Sequence, residues 1–244
     1  MNQPIELQRS FWNEWNAHNR ETRLSDVSED QRTLVVEWLQ GLGRTGLDIL
    51  EVGCGAGWLC PSLTPFGRVT ATDLSDEVLA RARERMPDVQ FVAGDFMELE
   101  FEPGGFDVVI ALEVLSHVSD HDAFVAKMAR LLRPGGVLLL ATQNRPVLEK
   151  YNTVPAPKPG NLRRWFDRDE LSALLAPHID VSEIRTITPV ASKGLLRLVA
   201  GRQTKRFWRA VTGRLLENTL AKAGLGWTLM VRGQKKAVSA QLQS

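Results

Sequence analysis

Three glycines at alternate positions follow an apolar segment that contains a carboxylate. The segment reads Leu-Asp-Ile-Leu-Glu-Val over residues 47–52, and the glycines are Gly53, Gly55 and Gly57. Glycine tolerates positive φ and has no Cβ, so such a loop turns tightly and lets a ligand approach the backbone. A second β-rich run ends at Asp73, whose carboxylate is placed to accept hydrogen bonds from ribose hydroxyls. The pattern predicts a nucleoside-binding crevice at the carboxyl ends of two parallel strands.

The spacing of the glycines separates two kinds of cofactor. Dinucleotide enzymes use G-x-G-x-x-G, which places a helix N-terminus against a pyrophosphate. This chain has G-x-G-x-G, and Glu51 lies two residues before the first glycine. A carboxylate at that position would repel a pyrophosphate, whereas it suits an amino group or a sulfonium-bearing amino acid.

Five motifs in sequence order resemble those of the class I S-adenosylmethionine-dependent methyltransferases. The first is the glycine loop with Glu51, and the second is the acid Asp73. The third is Gly-Asp-Phe at 94–96, and the fourth spans 106–118, from Phe-Asp-Val-Val to Glu-Val-Leu-Ser-His-Val. The fifth is Leu-Arg-Pro-Gly-Gly at 132–136. Five motifs in order are far more specific than a lone glycine loop.

The resemblance implies S-adenosylmethionine as the cofactor and assigns residues to it by motif position. Asp73 is assigned to the ribose, Asp95 to the adenine amino group, and Glu51 to the amino group of the methionine part. The full set of predicted cofactor-binding residues is Glu51, Gly53, Gly55, Gly57, Asp73, Leu74, Asp95, Phe96, Leu112 and Trp12.

Aromatic residues near the start of the chain are spaced to share one face of a helix. Phe11, Trp12 and Trp15 either pack into a core or close over a ligand site. Asn144 and Arg145 make the chain similar to the ubiquinone-biosynthesis O-methyltransferase-like branch, in which an N-terminal segment closes over the cofactor. The resemblance therefore implies that Trp12 covers the cofactor, and that Trp15, Asn144 and Arg145 contact the methyl acceptor.

His117 is the candidate catalytic residue. It follows the predicted fourth strand, at the end of the sheet where acceptors bind, and an unperturbed imidazole titrates near neutrality, as a general base requires. The alternative is a histidine that only fixes the loop before the next helix. Methyl transfer from an activated donor depends mainly on positioning and exclusion of water. No metal-binding pattern is present in the sequence, so no metal is predicted.

Predicted strands and helices alternate along the chain, and these elements must position the candidate residues. Strands are predicted at 47–52, 68–72, 89–93, 106–110, 136–141, 181–188 and 226–232. Helices are predicted at 33–42, 57–64, 76–85, 120–132 and 167–175. Alternation at this spacing predicts right-handed crossovers and an α/β fold with a mostly parallel sheet. The resemblance implies a Rossmann-like, doubly wound sheet of seven strands whose final strand is antiparallel.

The predicted domain organisation has three parts. Residues 1–45 form an N-terminal helical lid, 46–236 form the S-adenosylmethionine-binding domain, and 237–244 form a tail. Within the domain, the loop 145–166 and a helical insertion at 191–223 are expected to lie over the substrate site. The tail is expected to be disordered.

The part of the insertion between residues 193 and 222 is basic and amphipathic. It contains eight lysines and arginines against one acid, Glu217, with apolar residues interleaved. Such a segment can contact an anionic membrane surface as a peripheral element. It can equally bind an acidic substrate, form a dimer contact, or present a solvated charged face above an apolar one.

Charge and cysteine content narrow the class of protein. With 30 basic and 29 acidic residues, the chain has no overall attraction for nucleic acid, and no nucleic-acid partner is expected. Cys54 and Cys60 do not form a zinc pattern, so reduced thiols in a cytoplasmic protein are expected. The polar start of the chain has no signal-peptide core. A monomer or homodimer is expected.

The leading functional hypothesis is methyl transfer to a small molecule. The preferred acceptor is a hydroxyl oxygen of a natural product, quinone precursor or sugar, and the first alternative is a nitrogen acceptor on a small molecule. A nicotinamide-dependent oxidoreductase and a non-catalytic cofactor-binding module are further alternatives. The segment after strand four, at 111–114, has no Asn/Asp-Pro-Pro-aromatic motif, which disfavours N-methylation of nucleic acid.

Overall fold

The computed structural model describes residues 4–19 and 25–237, and within these ranges seven strands form one sheet. The predicted tail falls almost wholly outside the described residues. The strands are β1 (Leu47–Val52), β2 (Gly67–Asp73), β3 (Val89–Ala93), β4 (Phe106–Leu112), β5 (Leu132–Gln143), β6 (Ile179–Ile187) and β7 (Thr228–Lys235).

The strand order confirms the predicted fold class. Neighbouring strands follow the order β3-β2-β1-β4-β5-β7-β6. The pairs among β1 to β5 are parallel, whereas β7 pairs antiparallel with both β5 and β6. The chain winds outward from β1 to β3 and then returns to place β4 on the other side of β1. This reversal opens a crevice at the carboxyl ends of β1 and β4.

Helices cover both faces of the sheet. In chain order they are α1 (Ile5–Asn19), α2 (Asp26–Gln40), α3 (Cys60–Leu63), α4 (Asp76–Arg85), α5 (His121–Leu131), α6 (Arg145–Tyr151), α7 (Arg168–Leu175), α8 (Arg197–Ala200), α9 (Arg202–Thr212) and α10 (Leu215–Lys222). In the part of the chain that the structure describes, no helix is both long enough and apolar enough to span a membrane.

The sheet separates two buried apolar clusters, because alternate residues of a strand point to opposite faces. In β1, Leu47 and Ile49 pack with α2 and α4, while Leu50 and Val52 pack with α5 and α7. Both clusters are built largely from side chains that are almost fully buried. This core holds the ends of β1, β2 and β4 rigidly, which fixes the loops that follow them.

Two helices differ in extent from their predictions for local reasons. The helix predicted at 57–64 is reduced to α3, because Gly57 has φ of +74°, which a right-handed helix does not allow, and a 3₁₀ turn follows at Thr64–Phe66. The helix predicted at 33–42 begins seven residues earlier, at Asp26. There Ser25 caps it by accepting a hydrogen bond from the Ser28 amide at 3.2 Å.

Candidate active site

The glycine loop after β1 makes two close approaches that a side chain would block. Gly53 has φ of +71°, and a Cβ there would lie 2.2 Å from Val114 Cγ2. Gly55 has φ of +57°, and a Cβ there would lie 3.0 Å from Asn16 Oδ1. Both therefore need glycine for conformation as well as space. Gly57 also has φ of +74°, and a Cβ there would lie 2.7 Å from Met86 Cε, so this glycine is needed too but faces the packed core.

A cavity of about 610 Å³ lies at the sheet reversal, between the strand ends and α1. Most of the residues that were predicted to bind the cofactor, bind the acceptor or act in catalysis line this cavity. The predicted site residues that line it are Trp12, Trp15, Gly53, Gly55, Asp73, Leu74, Asp95, Phe96, Leu112 and His117. Those that do not line it are Glu51, Gly57, Asn144 and Arg145.

Asp73, at the end of β2, ties the glycine loop to the next helix. Its Oδ2 accepts from the Gly55 amide at 2.7 Å, and its Oδ1 accepts from the Ser75 amide at 2.8 Å. Burial raises the pKa of Asp73, and these backbone hydrogen bonds oppose that rise. Each carboxylate oxygen has a further acceptor position, which suits two adjacent ribose hydroxyls.

Thr72 adds an unused hydroxyl to this wall of the cavity. Its side chain is fully buried, and Oγ1 has no hydrogen-bond partner among the described residues. Buried hydroxyls normally have partners, so a polar group of a bound ligand would satisfy it. Together with the glycine cradle, this hydroxyl indicates that the crevice fits a nucleoside-bearing cofactor.

The segment after β3 forms the opposite end of the cavity. Asp95 Oδ1 accepts from the Met97 amide at 2.9 Å, which fixes the turn. The ring of Phe96 lies edge-on to Phe124, with centroids 5.4 Å apart, and Lys127 Nζ lies 5.1 Å from the Phe96 ring centroid. An acceptor carboxylate next to apolar rings suits the amino group and flat face of an adenine.

Helix α1 closes the crevice with a single face. Ile5, Gln8, Trp12, Trp15 and Asn16 all line the cavity, and their spacing of three and four residues places them on one side of the helix. Asn16 was not identified from sequence, although its position four residues after Trp12 was a usable signal.

Two hydrogen bonds hold α1 onto the start of α4. Asn16 Nδ2 donates to Ser75 Oγ at 2.7 Å in a buried contact, and Asn13 Nδ2 donates to Asp76 Oδ1 at 3.0 Å. Since the backbone N–H of Ser75 also donates to Asp73, α1 is linked through Ser75 to the predicted ribose site.

His117 lies in the cavity with a defined ring orientation. Its Nδ1 lies 2.6 Å from the carbonyl oxygen of Leu162. A carbonyl oxygen only accepts, so Nδ1 carries the proton and Nε2 holds the lone pair of the neutral ring. Trp12 packs edge-on against the imidazole, with ring centroids 4.8 Å apart. Burial lowers the pKa of His117 below its ordinary value of 6.5, so the ring is neutral at pH 7.

Glu113 is a cavity residue that the sequence did not single out. It has φ of +63°, a conformation that is uncommon outside glycine and often found at functional sites. Its Oε1 accepts from Gln31 Nε2 at 2.6 Å and from Thr228 Oγ1 at 3.1 Å. Both partners are distant in sequence, so no local signal revealed this arrangement.

Glu51 is not among the residues that line the cavity. Its side chain is buried, and Cys60 Sγ donates to its Oε2 at 3.2 Å. Burial, opposed by this hydrogen bond, raises the pKa of Glu51 to about 8. Its contact with the amino group of a cofactor therefore stays a prediction.

Asn144 and Arg145 have structural partners in this fold. Asn144 Nδ2 donates to the carbonyl oxygens of Gly224 and Gly226, at 3.1 and 2.8 Å. Arg145 forms ion pairs with both acids of the capping box that begins α7, Asp167 and Glu170. Their role at the acceptor stays a prediction.

Two further residues line the cavity, one just before Asn144 in the chain and one just before β7. Gln143 precedes the predicted pair at the end of β5, and its Oε1 accepts from Ser116 Oγ. Trp227 lines the cavity from just before β7. The position of Gln143 just after the strand predicted at 136–141 indicates that it faces the crevice, and it lines the cavity. No local pattern indicated Trp227, because its neighbours in the cavity come from distant parts of the chain.

Part of the chain is similar to a known protein family and to curated proteins. Residues 50–140 match the family described as a methyltransferase domain. A "Probable S-adenosylmethionine-dependent methyltransferase" of Mycobacterium tuberculosis is 33% identical over 141 residues, covering 57% of this chain and 51% of the relative. A "Ubiquinone biosynthesis O-methyltransferase" of Xanthomonas oryzae is 41% identical over 110 residues, covering 43% and 46%. The chain thus spans about half the length of the curated relatives that it matches.

Solved structures with the same fold cover nearly the whole chain. The N-methyltransferase NodS of Bradyrhizobium japonicum, in complex with S-adenosylhomocysteine, has a TM-score of 0.64 at 16% identity and covers 95% of this chain and 100% of that one. A 1,6-didemethyltoxoflavin-N1-methyltransferase of Burkholderia thailandensis has a TM-score of 0.62 at 21% identity, covering 97% and 92%. At these identities the likeness establishes the fold.

The fold and the crevice thus define an α/β domain of the Rossmann-like class with a nucleoside-binding site at the sheet reversal. Residues 50–140 match a methyltransferase domain family, and over part of its length the chain is similar to S-adenosylmethionine-dependent methyltransferases. The cofactor of this class is S-adenosylmethionine.

Proposed function

We propose that this chain methylates a hydroxyl oxygen on a small, flat acceptor, with His117 as the proton acceptor. The observation that carries the proposal is the position of His117 in the same cavity as Gly53, Asp73 and Leu112. A base held next to the predicted methionine end of the cofactor site is needed for a hydroxyl acceptor, which must lose its proton on methylation.

The residues present fit the cofactor, which supplies an activated methyl group on a sulfonium when bound. Gly53 and Gly55 would hold its methionine part, Asp73 its ribose, and Asp95 with Phe96 its adenine. The chain itself then has to orient the acceptor, exclude water and take a proton. Helix α1 covers the cavity and supports the exclusion of water.

The aromatic lining supports a flat acceptor. Trp12, Trp15, Trp58 and Trp227 line the cavity, so four large rigid rings surround the bound molecules. Such rings stack or pack edge-on against planar ligands and define their orientation. A phenolic natural product or quinone precursor fits this lining better than a sugar. The relative from Xanthomonas oryzae, named an O-methyltransferase of ubiquinone biosynthesis, supports an oxygen acceptor.

The tautomer of His117 supports its role as a base. Because Nδ1 donates to Leu162, the basic Nε2 is the nitrogen that can receive the acceptor proton. The contact with Trp12 fixes the ring plane and links the position of α1 to that of the base.

Two measurements test the proposal in order. Calorimetric titration with S-adenosylmethionine, S-adenosylhomocysteine and NADH should show micromolar binding of the first two and none of the third. The chain is then incubated with S-adenosylmethionine and panels of phenols, catechols, sugars and amines, and S-adenosylhomocysteine release is measured. We expect turnover with phenols or catechols.

A matched pair of histidine variants isolates the role of His117. His117→Gln should lower kcat with the best acceptor by about 10²–10⁴-fold while leaving the Kd for S-adenosylhomocysteine unchanged. His178→Gln, at a histidine outside the cavity, should leave both quantities unchanged. Turnover of amines alone would overturn the hydroxyl acceptor, and an unaltered kcat in His117→Gln would assign the ring a structural role.

A further inference from the structure

We propose that the insertion between β6 and β7 carries a docking face for an anionic lipid bilayer. We call it the outer face and define it by the apolar residues Leu195, Leu198, Phe207, Val211 and Leu215 with the cations Lys193, Arg197 and Arg206. The proposal concerns a surface outside the cavity, so it does not depend on the acceptor or on His117.

Exposed apolar side chains are concentrated at this face. Among the described residues, six large hydrophobic side chains are exposed, and five of them lie between Leu195 and Leu215. Leu195 is 84% exposed, Leu215 71%, and Phe207 60%. Single exposed apolar residues are ordinary, but a cluster within one short segment marks an interaction site.

Helix α9 divides sharply into an inward and an outward side. Lys205, Trp208 and Arg209 point inward, where Trp208 Nε1 donates to the carbonyl oxygen of Leu198 at 3.0 Å and both cations form ion pairs. Arg206 and Phe207 are exposed on the other side. The helix therefore already has its internal contacts, and its outward side is not needed to hold the fold together.

The cations of the insertion divide in the same way. Lys205, Arg209 and Arg214 are bound by acids of the protein itself. Their partners are Asp26, Asp30 and Glu217. These three cations anchor the insertion to α2 and contribute little to an external partner.

Three further cations are available to an outside partner. Lys193, Arg197 and Arg206 are exposed and form no ion pair within residues 4–19 and 25–237. Glu217 is the single acid between residues 193 and 222, and its side chain is only 12% exposed. The outer face is therefore apolar and cationic, with no acid to balance it.

This combination matches an anionic bilayer better than a second copy of the chain. A two-fold dimer through the outer face would set two cationic surfaces against each other with no acid of the face between them, and like charges would oppose each other. An anionic bilayer instead accepts apolar side chains at the acyl boundary and cations at the lipid phosphates. Charge complementarity therefore selects the lipid surface as the occupant.

The outer face is attached to an element of the cavity wall. Lys205 Nζ lies 2.8 Å from Asp26 Oδ2, at the start of α2. Ser25 and Val27, on either side of Asp26, both line the cavity. Docking through α9 would therefore hold this wall of the cavity at the lipid surface.

The test measures flotation of the full chain with vesicles. Vesicles of phosphatidylcholine containing about one third phosphatidylglycerol are compared with pure phosphatidylcholine, at low and at high salt. We expect flotation with the anionic vesicles at low salt, and loss of flotation with the neutral vesicles and at high salt.

Three double variants locate the contact. Arg197→Glu with Arg206→Glu, and Phe207→Ser with Val211→Ser, should each lower the partition onto anionic vesicles by about tenfold or more. The control is Arg81→Glu with Arg130→Glu, an equal change of charge at exposed residues of α4 and α5, which should float like the original chain. Since all these side chains lie at the surface, unchanged thermal unfolding would confirm that each variant folds.

Three results would overturn the proposal. The chain could fail to float with anionic vesicles, or the control could lose flotation as much as the outer-face variants. Light scattering without lipid could also show a dimer that dissociates on Phe207→Ser with Val211→Ser, which would assign the face to self-association. Each of these results leaves the proposed methylation unaffected, because the cavity is unchanged.

Discussion

At the scale of single residues, Asp73 combines two functions in one carboxylate. It holds the glycine loop through the Gly55 amide and the start of α4 through the Ser75 amide, and it faces the cavity.

Asp73→Ala should weaken binding of S-adenosylhomocysteine by about 1–3 kcal/mol, because ribose hydroxyls lose their acceptor. Calorimetric titration measures this change. Asp88→Ala, at an exposed acid, is the control, and equal affinities in the two variants would contradict the ribose assignment.

The pKa of His117 predicts how activity depends on pH. Burial lowers this pKa below 6.5, and only the neutral ring can accept a proton, so kcat/KM should be flat above pH 6.5 and fall at lower pH. Trp12→Ala should expose the ring to water and move the midpoint upward, toward 6.5. Initial rates across pH 5–8 measure both midpoints. A midpoint above 6.5 in the original chain would exclude His117 as the base.

The raised pKa of Glu51 predicts that the free energy of unfolding depends on pH. Its pKa is about 8 in the folded state against 4.5 ordinarily, so between these values the folded chain holds a proton that the unfolded chain has released. The free energy of unfolding should therefore fall as pH rises across this window, by at most about 1.4 kcal/mol per pH unit from this group.

The matched variant for this effect is Glu51→Gln, which cannot ionise. The difference in free energy of unfolding between Glu51→Gln and the original chain should grow in favour of the variant from pH 5 to pH 8. Urea unfolding at each pH measures this difference, and the subtraction removes the effect of other titrating groups. A difference that stays constant with pH would show that Glu51 ionises normally in the folded state.

At the scale of elements, specific polar contacts help to hold α1 on the domain. Asn16→Ala removes the buried hydrogen bond to Ser75 and leaves that hydroxyl without its partner. We expect faster amide hydrogen exchange in α1 and weaker cofactor binding by about 1 kcal/mol, with little change in global stability. Glu14→Ala, at an exposed residue of the same helix, is the control. Unchanged exchange in α1 would mean that the aromatic contacts alone hold it.

At the scale of the whole molecule, ion pairs on Glu217 join α9 to α10 within the insertion, and ion pairs on Asp26 and Asp30 join the insertion to α2. Arg209 Nε lies 2.8 Å from Glu217 Oε1, and Lys205 Nζ lies 3.6 Å from it. The side chains of Lys205 and Glu217 are only 9% and 12% exposed, so these pairs are shielded from solvent.

Removing the charge of Glu217 should destabilise the insertion. Glu217→Gln leaves the three neighbouring cations Lys205, Arg209 and Arg214 with less opposing charge, and we expect a loss of about 1–3 kcal/mol in the free energy of unfolding. Urea unfolding measures the loss. Glu149→Gln, at an exposed acid of α6, is the control and should be neutral within about 0.5 kcal/mol. Equal stability of the two variants would mean that the apolar contacts of α9 hold the insertion by themselves.

The order of elements and the cofactor crevice could be predicted from the sequence because their signals are local. The continuous run 47–57 contains a strand, a tight turn and three glycines with positive φ at alternate positions. Asp73 ends the next strand, and right-handed crossovers then place both ends at the same edge of the sheet. The predicted bounds of β1 and β3 agree with the structure at every residue.

The tertiary structure alone decided which polar side chains face the cavity. Glu51 does not line it and is bonded to Cys60 instead, and Asn144 is used to hold the chain before β7. The carbonyl that orients His117 comes from Leu162, 45 residues away in sequence. The sequence by itself therefore determined the scaffold and the donor site, since these depend on contiguous patterns. The acceptor side depends on contacts between distant segments, and only the folded chain brings those together.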